Sequence, residues 1–369
     1  MANHINLFNP LKIQSVEFKN RIWVSPMCQY SSINGHPTDW HFVHLASRAI
    51  GGAGLVMVEA TAVSPEGRIS PDDSGIWSDE HIASFKRITD MIKDQGSIVG
   101  IQIAHAGRKG STSAPWEKNP KTLSETQRGW QTIAPSPIAF DQNKTVPKEM
   151  SLREIQQCIK DFIAAAERCL AAGFQVLELH MAHGYLMHEF LSPLSNQRTD
   201  NYGGSLENRM RLPLEIAKAV RAVWPEEFPL FARISTTDWA YGPPELKANQ
   251  DVAYNSWNVF ESITFAQKLK QIGIDLIDCS SGGTLPHAVI PIGPSYQVSF
   301  AALIRKEAQI MTAAVGLITE PVQAESILLS EQADAVFLGR EFLRNPYWPF
   351  KAARELGVDY PKPKQYALS

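Results

Sequence analysis

Gln175-Val176-Leu177-Glu178-Leu179-His180-Met181-Ala182-His183-Gly184-Tyr185 is the stretch from which the rest of the chain can be read. Gly173 stands before it and Gly184 closes it. An apolar run this short, bounded by glycines, predicts one buried strand rather than a helix. The run stops on two histidines three positions apart and a tyrosine. A buried strand that ends in such residues delivers chemistry to a surface.

The same unit recurs along the chain. Further strands are predicted at Arg21–Ser25, Leu55–Glu59, Ile98–Ile103, Pro229–Ile234, Asp275–Cys279, Ile310–Val315 and Asp334–Leu338. Helical patterns fall between them, around His41–Ile50, Glu80–Gln95, Ser151–Ala172, Leu206–Trp224, Asn258–Ile272, Ser295–Lys306 and Glu320–Leu329. Ser151 and Glu154 make a capping-box pattern at one helix start. The strands are apolar throughout rather than alternating, so both faces should be buried. Eight strand–helix units over residues 1–369 predict an α/β fold of one domain, a single (β/α)8 TIM barrel. An open doubly wound sheet would carry a Gly-rich turn after its first strand, and Ser25-Pro26-Met27-Cys28 is not one. Leu7-Phe8 and Val16-Glu17-Phe18, with Asn9-Pro10 between, predict a small hairpin ahead of the barrel. Long loops follow strands three and five, over 104–150 and 236–257. Loops after barrel strands lie on the catalytic face, and loops this long shape or lid a site.

Bulk properties narrow the function. Of 369 residues, 44% are hydrophobic and 20% charged, and the net charge is −3. That balance gives no pull toward nucleic acid or an anionic membrane. No run reaches transmembrane length. Met1-Ala2-Asn3-His4 does not begin a secretory leader, so a cytoplasmic protein is expected. Cys28, Cys158, Cys169 and Cys279 are scattered, which argues against a zinc ribbon, an iron–sulfur cluster or a disulfide framework.

In a barrel the strand ends converge on one face. Strand one delivers Ser25 to Tyr30, strand two Glu59-Ala60, and strand three Gln102 and then His105. Strand four brings His180, His183 and Tyr185, and strand five Arg233. Strand six brings Ser280 to Gly283, strand seven Gly316, and strand eight Gly339-Arg340. The ends of strands seven and eight are the usual phosphate site of such barrels. Glycine lets backbone amides approach a phosphate, and arginine binds it in a fork. Arg233 in an apolar strand needs a partner, either a carboxylate or an anionic ligand. Gln102 offers a donor and an acceptor suited to a heterocycle edge. His180 and His183 could ligate a metal, with Asp238 or His105 as partners, although no spacing signature supports this. Equally, they could donate to one carbonyl oxygen while Tyr185 supplies a proton.

The motifs resemble the Old Yellow Enzyme family of FMN-dependent ene-reductases, across nearly the whole chain. They include Leu7–Leu11, Lys19–Ile22, Ser25–Tyr30, Gln102–Lys109, His180–Leu186, Phe190–Pro193, Asn196–Asp200, Tyr202–Ser205, Asn208-Arg209, Ser280–Gly283 and Leu338–Arg340. Cys28 with Tyr30, and the two-histidine motif, look like the bacterial thermophilic-like or xenobiotic-reductase-like subclass. The resemblance implies bound FMN, with NADPH or NADH as reductant. Ser25, Pro26, Met27, Cys28, Ala60, Gln102 and Arg233 would hold the isoalloxazine, with Cys28 tuning it. Gly316, Gly339 and Arg340 would hold the phosphate. His180 and His183 would bind the substrate carbonyl, Tyr30 would line the pocket, and Tyr185 would protonate. The implied reaction is reduction of the activated C=C bond of an α,β-unsaturated carbonyl, with hydride passing through flavin N5. Implied substrates are small enones, quinones or nitro compounds, and the implied assembly is a homodimer or homotetramer. Lys362 stands where relatives often carry an aromatic that reaches a neighbouring subunit. The chain carries no cysteine cluster or second domain of the longer dienoyl-CoA reductase relatives. Other readings are a tRNA dihydrouridine synthase-like flavoenzyme, which the acidic balance opposes, a metal-dependent hydrolase barrel, and a non-catalytic flavin sensor. A yellow rather than colourless protein would separate the flavoenzymes from the hydrolase.

Overall fold

Alternation of buried strands and amphipathic helices closes into a barrel in the computed structural model, which describes residues 7–117, 122–240 and 255–368. The strands β1 (Leu11–Ile13) and β2 (Val16–Phe18) form an antiparallel hairpin. The barrel strands β3 (Ile22–Val24), β4 (Leu55–Ala62) and β5 (Ile98–Ala104) follow. Two short strands, β6 (Ile133–Ala134) and β7 (Lys148–Glu149), pair within the long loop after β5. The barrel resumes with β8 (Val176–Met181), β9 (Leu230–Ser235), β10 (Leu276–Ser280), β11 (Met311–Ala314) and β12 (Ala335–Leu338). Every neighbouring pair is parallel, and β12 returns to β3, so the sheet is closed. Most of the expected loop at 236–257 lies outside the described residues.

The helices are α1 (Asp39–Ile50), α2 (His81–Asp94), α3 (Leu152–Ala171), α4 (Leu186–Leu191), α5 (Leu206–Val223) and α6 (Val259–Ile272). After them come α7 (Val298–Ala308), α8 (Pro321–Leu329), α9 (Arg340–Arg344) and α10 (Trp348–Leu356). The capping box at α3 forms as its sequence requires. Ser151 Oγ accepts from Glu154 N–H at 3.3 Å, and Glu154 Oε2 accepts from Ser151 N–H at 2.8 Å. No helix among the described residues is long and apolar enough to cross a membrane.

The hairpin differs from expectation in one arm. Leu7 is not part of it: its N–H donates to Glu325, and its carbonyl accepts from Arg21 N–H. The first arm begins only after Pro10, which has no N–H for a ladder, and Gln14 turns the chain at φ 53°. Ile13, Val16 and Phe18 then seal the barrel floor against Trp23, Met57, Phe231 and Phe337. Phe18 and Trp23 sit 4.7 Å apart, centroid to centroid. Burying Phe18 and Phe231 contributes about 1.5–3 kcal/mol each.

Side chains two apart on a strand share a face. Val176, Phe231 and Leu276 belong to the floor, so Glu178, Arg233 and Asp278 each stand one inward step above it on their own strands, with Glu178 paired to Phe231 across β8 and β9. His180, Ser235 and Ser280 stand one step above these. The interior thus passes from apolar floor to charged layer to open mouth. A register shift in β4 between Val58 and Ala60 puts Ala60 opposite Gln102, at the height of the charged layer.

Candidate active site

The charged layer comes first, because it sets the electrostatics of everything above it. Register places Gln102 beside Glu178 and Arg233 beside Asp278. Gln102 Nε2 donates to Glu178 Oε1 at 2.7 Å. Arg233 Nε lies 3.2 Å from Asp278 Oδ2, and its Nη1 donates to Ser25 Oγ at 3.3 Å. Glu178 and Asp278 are completely buried. Arg233 thus pairs with Asp278 and acts on Glu178 through its charge alone. Burial pushes both carboxyl groups up; Asp278 pushes Glu178 further, and Arg233 pulls both back. Keeping one proton on the pair is cheaper than burying an uncompensated charge. Neither acid was singled out from sequence, although a charged residue inside an apolar run is the same signal that marked Arg233.

Above the layer, the ends of β3, β10, β11 and β12 surround a cavity of about 450 Å³. Ser25, Pro26, Met27, Arg233, Gly316, Gly339 and Arg340 all line it, as do His183, Ser280 and Gln297. Gly316 has φ +122°, and a Cβ there would meet Gln297 Nε2 at 2.9 Å. Gly339 is different. A Cβ on it would meet only Met27 Sδ at 3.8 Å and Ser25 Cβ at 4.0 Å, so it would project into the cavity itself. The chemistry of these donors fits FMN. Arg340, with Arg344 beside it, could receive a phosphate, Arg233 would be the cation at the ring, and the glycine backbone would allow close approach. Gln297 was missed from sequence because it sits on no strand; it accepts from Ser281 Oγ at 2.7 Å and donates to Val315 O at 2.9 Å.

Cys28 and Tyr30 stand outside this cavity. Cys28 faces a groove of about 660 Å³ with Trp40, Val43 and Trp116. Burial, then the nearby Asp73 and Glu59 carboxylates, push its thiol well up, so it is no thiolate nucleophile. Tyr30 packs edge-on against Trp116, 5.5 Å between centroids. Ala60 lines a small enclosed space of about 10 Å³ shared with Asp73, Ala104 and Tyr185.

The end of β8 brings its aromatic groups together. His180 and His183 rings stand 5.0 Å apart, and Tyr185 lies 5.0 Å from His180. His180 Nδ1 accepts from Ala182 N–H at 3.3 Å, which puts the ring proton on Nε2. That nitrogen is 3.3 Å from His183 Nδ1, and His183 Nε2 is 2.6 Å from Ser280 Oγ. Each ring thus has one N–H, directed at His183 and Ser280 respectively. An entering oxygen acceptor must replace those partners. Burial, then the positive charge of Arg233, holds both imidazoles well below their ordinary value, hence neutral. Burial likewise lifts the Tyr185 hydroxyl well above its usual range. Lys109 also carries no role assigned from sequence. Its Nζ donates to His183 O at 2.8 Å and Gly283 O at 3.1 Å, and lies 5.1 Å from the Tyr185 ring centroid. Burial lowers it to about 8.

The partners considered for a metal are engaged elsewhere. His105 Nδ1 accepts from Gly107 N–H, and Asp238 pairs with His188. Among the described residues, no three His, Cys, Asp or Glu side chains are grouped to hold a metal ion.

Comparison with known proteins gives concordant results. The NADH:flavin oxidoreductase / NADH oxidase family model matches residues 6–358. The chain is 47% identical over 362 residues to the NADPH dehydrogenase of Bacillus subtilis, covering 98% of each. It is 50% identical over 363 residues to that of Bacillus cytotoxicus, covering 98% of this chain and 96% of that one. Morphinone reductase in complex with tetrahydroNAD superposes at a TM-score of 0.76 and 25% identity, over 98% of this chain and 93% of that one. The old yellow enzyme homologue from Zymomonas mobilis superposes at 0.77 and 26% identity, over 98% of both. With a match that runs from the hairpin to the last helix, the chain belongs to the NADH:flavin oxidoreductase, or Old Yellow Enzyme, family.

Proposed function

We propose that the protein is an FMN-dependent NADPH dehydrogenase that reduces the activated C=C bond of α,β-unsaturated carbonyl compounds, with quinones and nitro compounds as further acceptors. The observation that carries this reading is the neutral His180–His183 pair beside a protonated Tyr185, with His183 lining a cavity whose donors suit FMN. The name of the Bacillus relatives supports the reductant. Bound FMN would supply the hydride chemistry, accepting from NADPH and giving to the acceptor's β-carbon. The protein's own groups do the rest. The imidazole N–H groups turn from each other and Ser280 to the substrate oxygen, where negative charge develops. Being neutral, they donate without being drained of protons. Tyr185 protonates the α-carbon. Its hydroxyl is too weak an acid to lose that proton to water, yet strong enough for a carbanion-like carbon. Lys109, against the tyrosine ring, offsets the charge that Tyr185 acquires. Arg233 faces the ring end, with its charge kept available by the proton retained on the Glu178–Asp278 pair.

Tyr185→Phe tests the donor. NADPH should still bleach the flavin at the native rate. Reoxidation by an enone should slow by about 10²–10⁴-fold, read by stopped-flow absorbance. Native-rate reoxidation would remove Tyr185 from the mechanism. A second expectation concerns the cradle. Gly339→Ala should fold normally but weaken FMN binding by about tenfold or more, since the methyl occupies ligand space. An unchanged flavin dissociation constant, measured by fluorescence, would place the ligand elsewhere.

A further inference from the structure

Behind the turn that carries His183 and Tyr185 lies a buried histidine–carboxylate pair. His188 and Asp238 are both completely buried, and His188 Nε2 lies 3.1 Å from Asp238 Oδ1. They do not line the cavity, and no step above uses them. Their surroundings show what they hold.

The chain leaves β8 through two successive left-handed residues, His183 at φ 60° and Gly184 at φ +71°. The second must be glycine, because a Cβ there would fall 2.2 Å from Gly283 O. Such a turn points Gly184 N–H away from any ladder, and a buried N–H needs an acceptor. His188, one helical turn further on, supplies it: its Nδ1 accepts from Gly184 N–H at 2.9 Å. An acceptor nitrogen carries no proton, so the ring proton sits on Nε2, facing Asp238.

Asp238 is equipped to fix that arrangement. Its Oδ2 accepts from Ser192 Oγ at 2.6 Å and from Trp257 N–H at 3.0 Å. Its own N–H donates to Trp257 O at 3.0 Å. Burial pushes its carboxyl up, but the His188 ring beside Oδ1 and the Ser192 and Thr284 hydroxyls outweigh that and hold it below the usual carboxylate range. The charged groups around the pair are few. Arg108 attracts Asp238 and donates to Thr284 O at 2.8 Å, Glu189 accepts from Arg108 N–H at 2.9 Å, and Lys109 lies beyond, against Tyr185.

We infer that Asp238 and His188 are positioning residues for proton transfer by Tyr185: Asp238 fixes the tautomer of His188, and His188 holds the left-handed turn that aims the tyrosine. This rests on the reading of Tyr185 as proton donor. A merely structural pair would support the fold and influence every step equally. A positioning pair acts on one step and through one residue.

Asp238→Asn separates the two. It preserves shape, but its amide nitrogen competes for Nε2 and favours the Nδ1–H tautomer, which cannot accept from Gly184 N–H. This is the logic by which an Asp→Asn change disables a catalytic triad. The holoenzymes to compare are native, D238N, Y185F and D238N/Y185F, each reduced by NADPH and reoxidised by 2-cyclohexen-1-one. In the native background, D238N should slow reoxidation by about 10- to 100-fold. In the Y185F background the further loss should be under about threefold, because the residue acted through is gone. Reduction by NADPH should stay within about twofold of native, since that step needs no tyrosine proton. Nitrogen-15 imidazole shifts should report the tautomer change at His188.

Equal losses in both backgrounds, or equal slowing of both half-reactions, overturn the inference. So does an unchanged His188 tautomer. If Y185F is slow and D238N is not, only this inference falls; if Y185F is not slow, the donor reading falls and takes the inference with it. Should D238N fail to hold flavin, Ser192→Ala makes the same test by removing one bond to Asp238. A loss of about threefold confined to reoxidation supports the inference; no loss, or a loss in both steps, overturns it.

Discussion

Replacing His180 and His183 together with alanine should collapse enone turnover while the protein stays yellow. Two neutral imidazoles, with Nε2 of His180 3.3 Å from Nδ1 of His183, can turn two N–H donors to a single incoming oxygen once it replaces their present partners. Removing one preorganised donor from a developing oxyanion typically costs about 10²–10³ in rate. The pair should cost somewhat less than the product of the two, because they touch and are coupled. Flavin should remain bound, since Gly316, Gly339, Arg340 and Arg233 are untouched. NADPH should therefore still bleach the variant, and only the enone half-reaction should fail. Unimpaired enone reduction in this variant would sink the assignment of both residues.

Replacing Arg233 with methionine should have the largest effect on stability. The side chain is nearly buried, and it is the only cation within ion-pair distance of Asp278 among the described residues. Removing it strands two buried carboxylates, a type of loss that costs about 3–5 kcal/mol. The sign of the pH dependence follows. In the variant both acids are raised further, because burial acts without Arg233 to oppose it. The folded state then binds more protons than the unfolded chain, so its stability falls as pH rises from the ordinary carboxylate range. The deficit against native should be large at pH 8 and small at pH 5, by thermal or urea unfolding. Adding Asp278→Asn should recover part of it. A deficit that does not change with pH would mean that the arginine acts by packing rather than by charge.

Much of the fold was legible because barrel strands are buried on both faces and so read as uninterrupted apolar runs. The runs at 55–59, 98–103 and 334–338 needed nothing beyond hydrophobicity and bounding turns. The hairpin was harder, because Leu7 is as apolar as a strand residue but spends its backbone on Glu325 and Arg21. No local pattern reveals a partner more than 300 positions away. The site divided in the same way. Residues at strand ends, such as His180, Arg233 and Gly339, could be listed from topology alone. Gln297 could not, since its placement depends on what it bonds, and Asp238 could be named only as a metal partner, a role its pairing with His188 does not support. Glu178 and Asp278 were visible as charges inside apolar runs. What could not be seen was that one arginine's charge acts on both, which depends on how the strands close into the barrel.

The sealed floor has a further consequence. Phe18 and its neighbours cork the barrel beneath the charged layer, so this end offers no way through. Reactants then approach the cavity from the opposite end. On the function proposed above, a reductant and an acceptor that both need the ring end of the cavity would queue for the same doorway, each blocking the other while inside. Throughput would then depend on how quickly the spent reductant departs as much as on chemistry, and an excess of either reactant would inhibit the other.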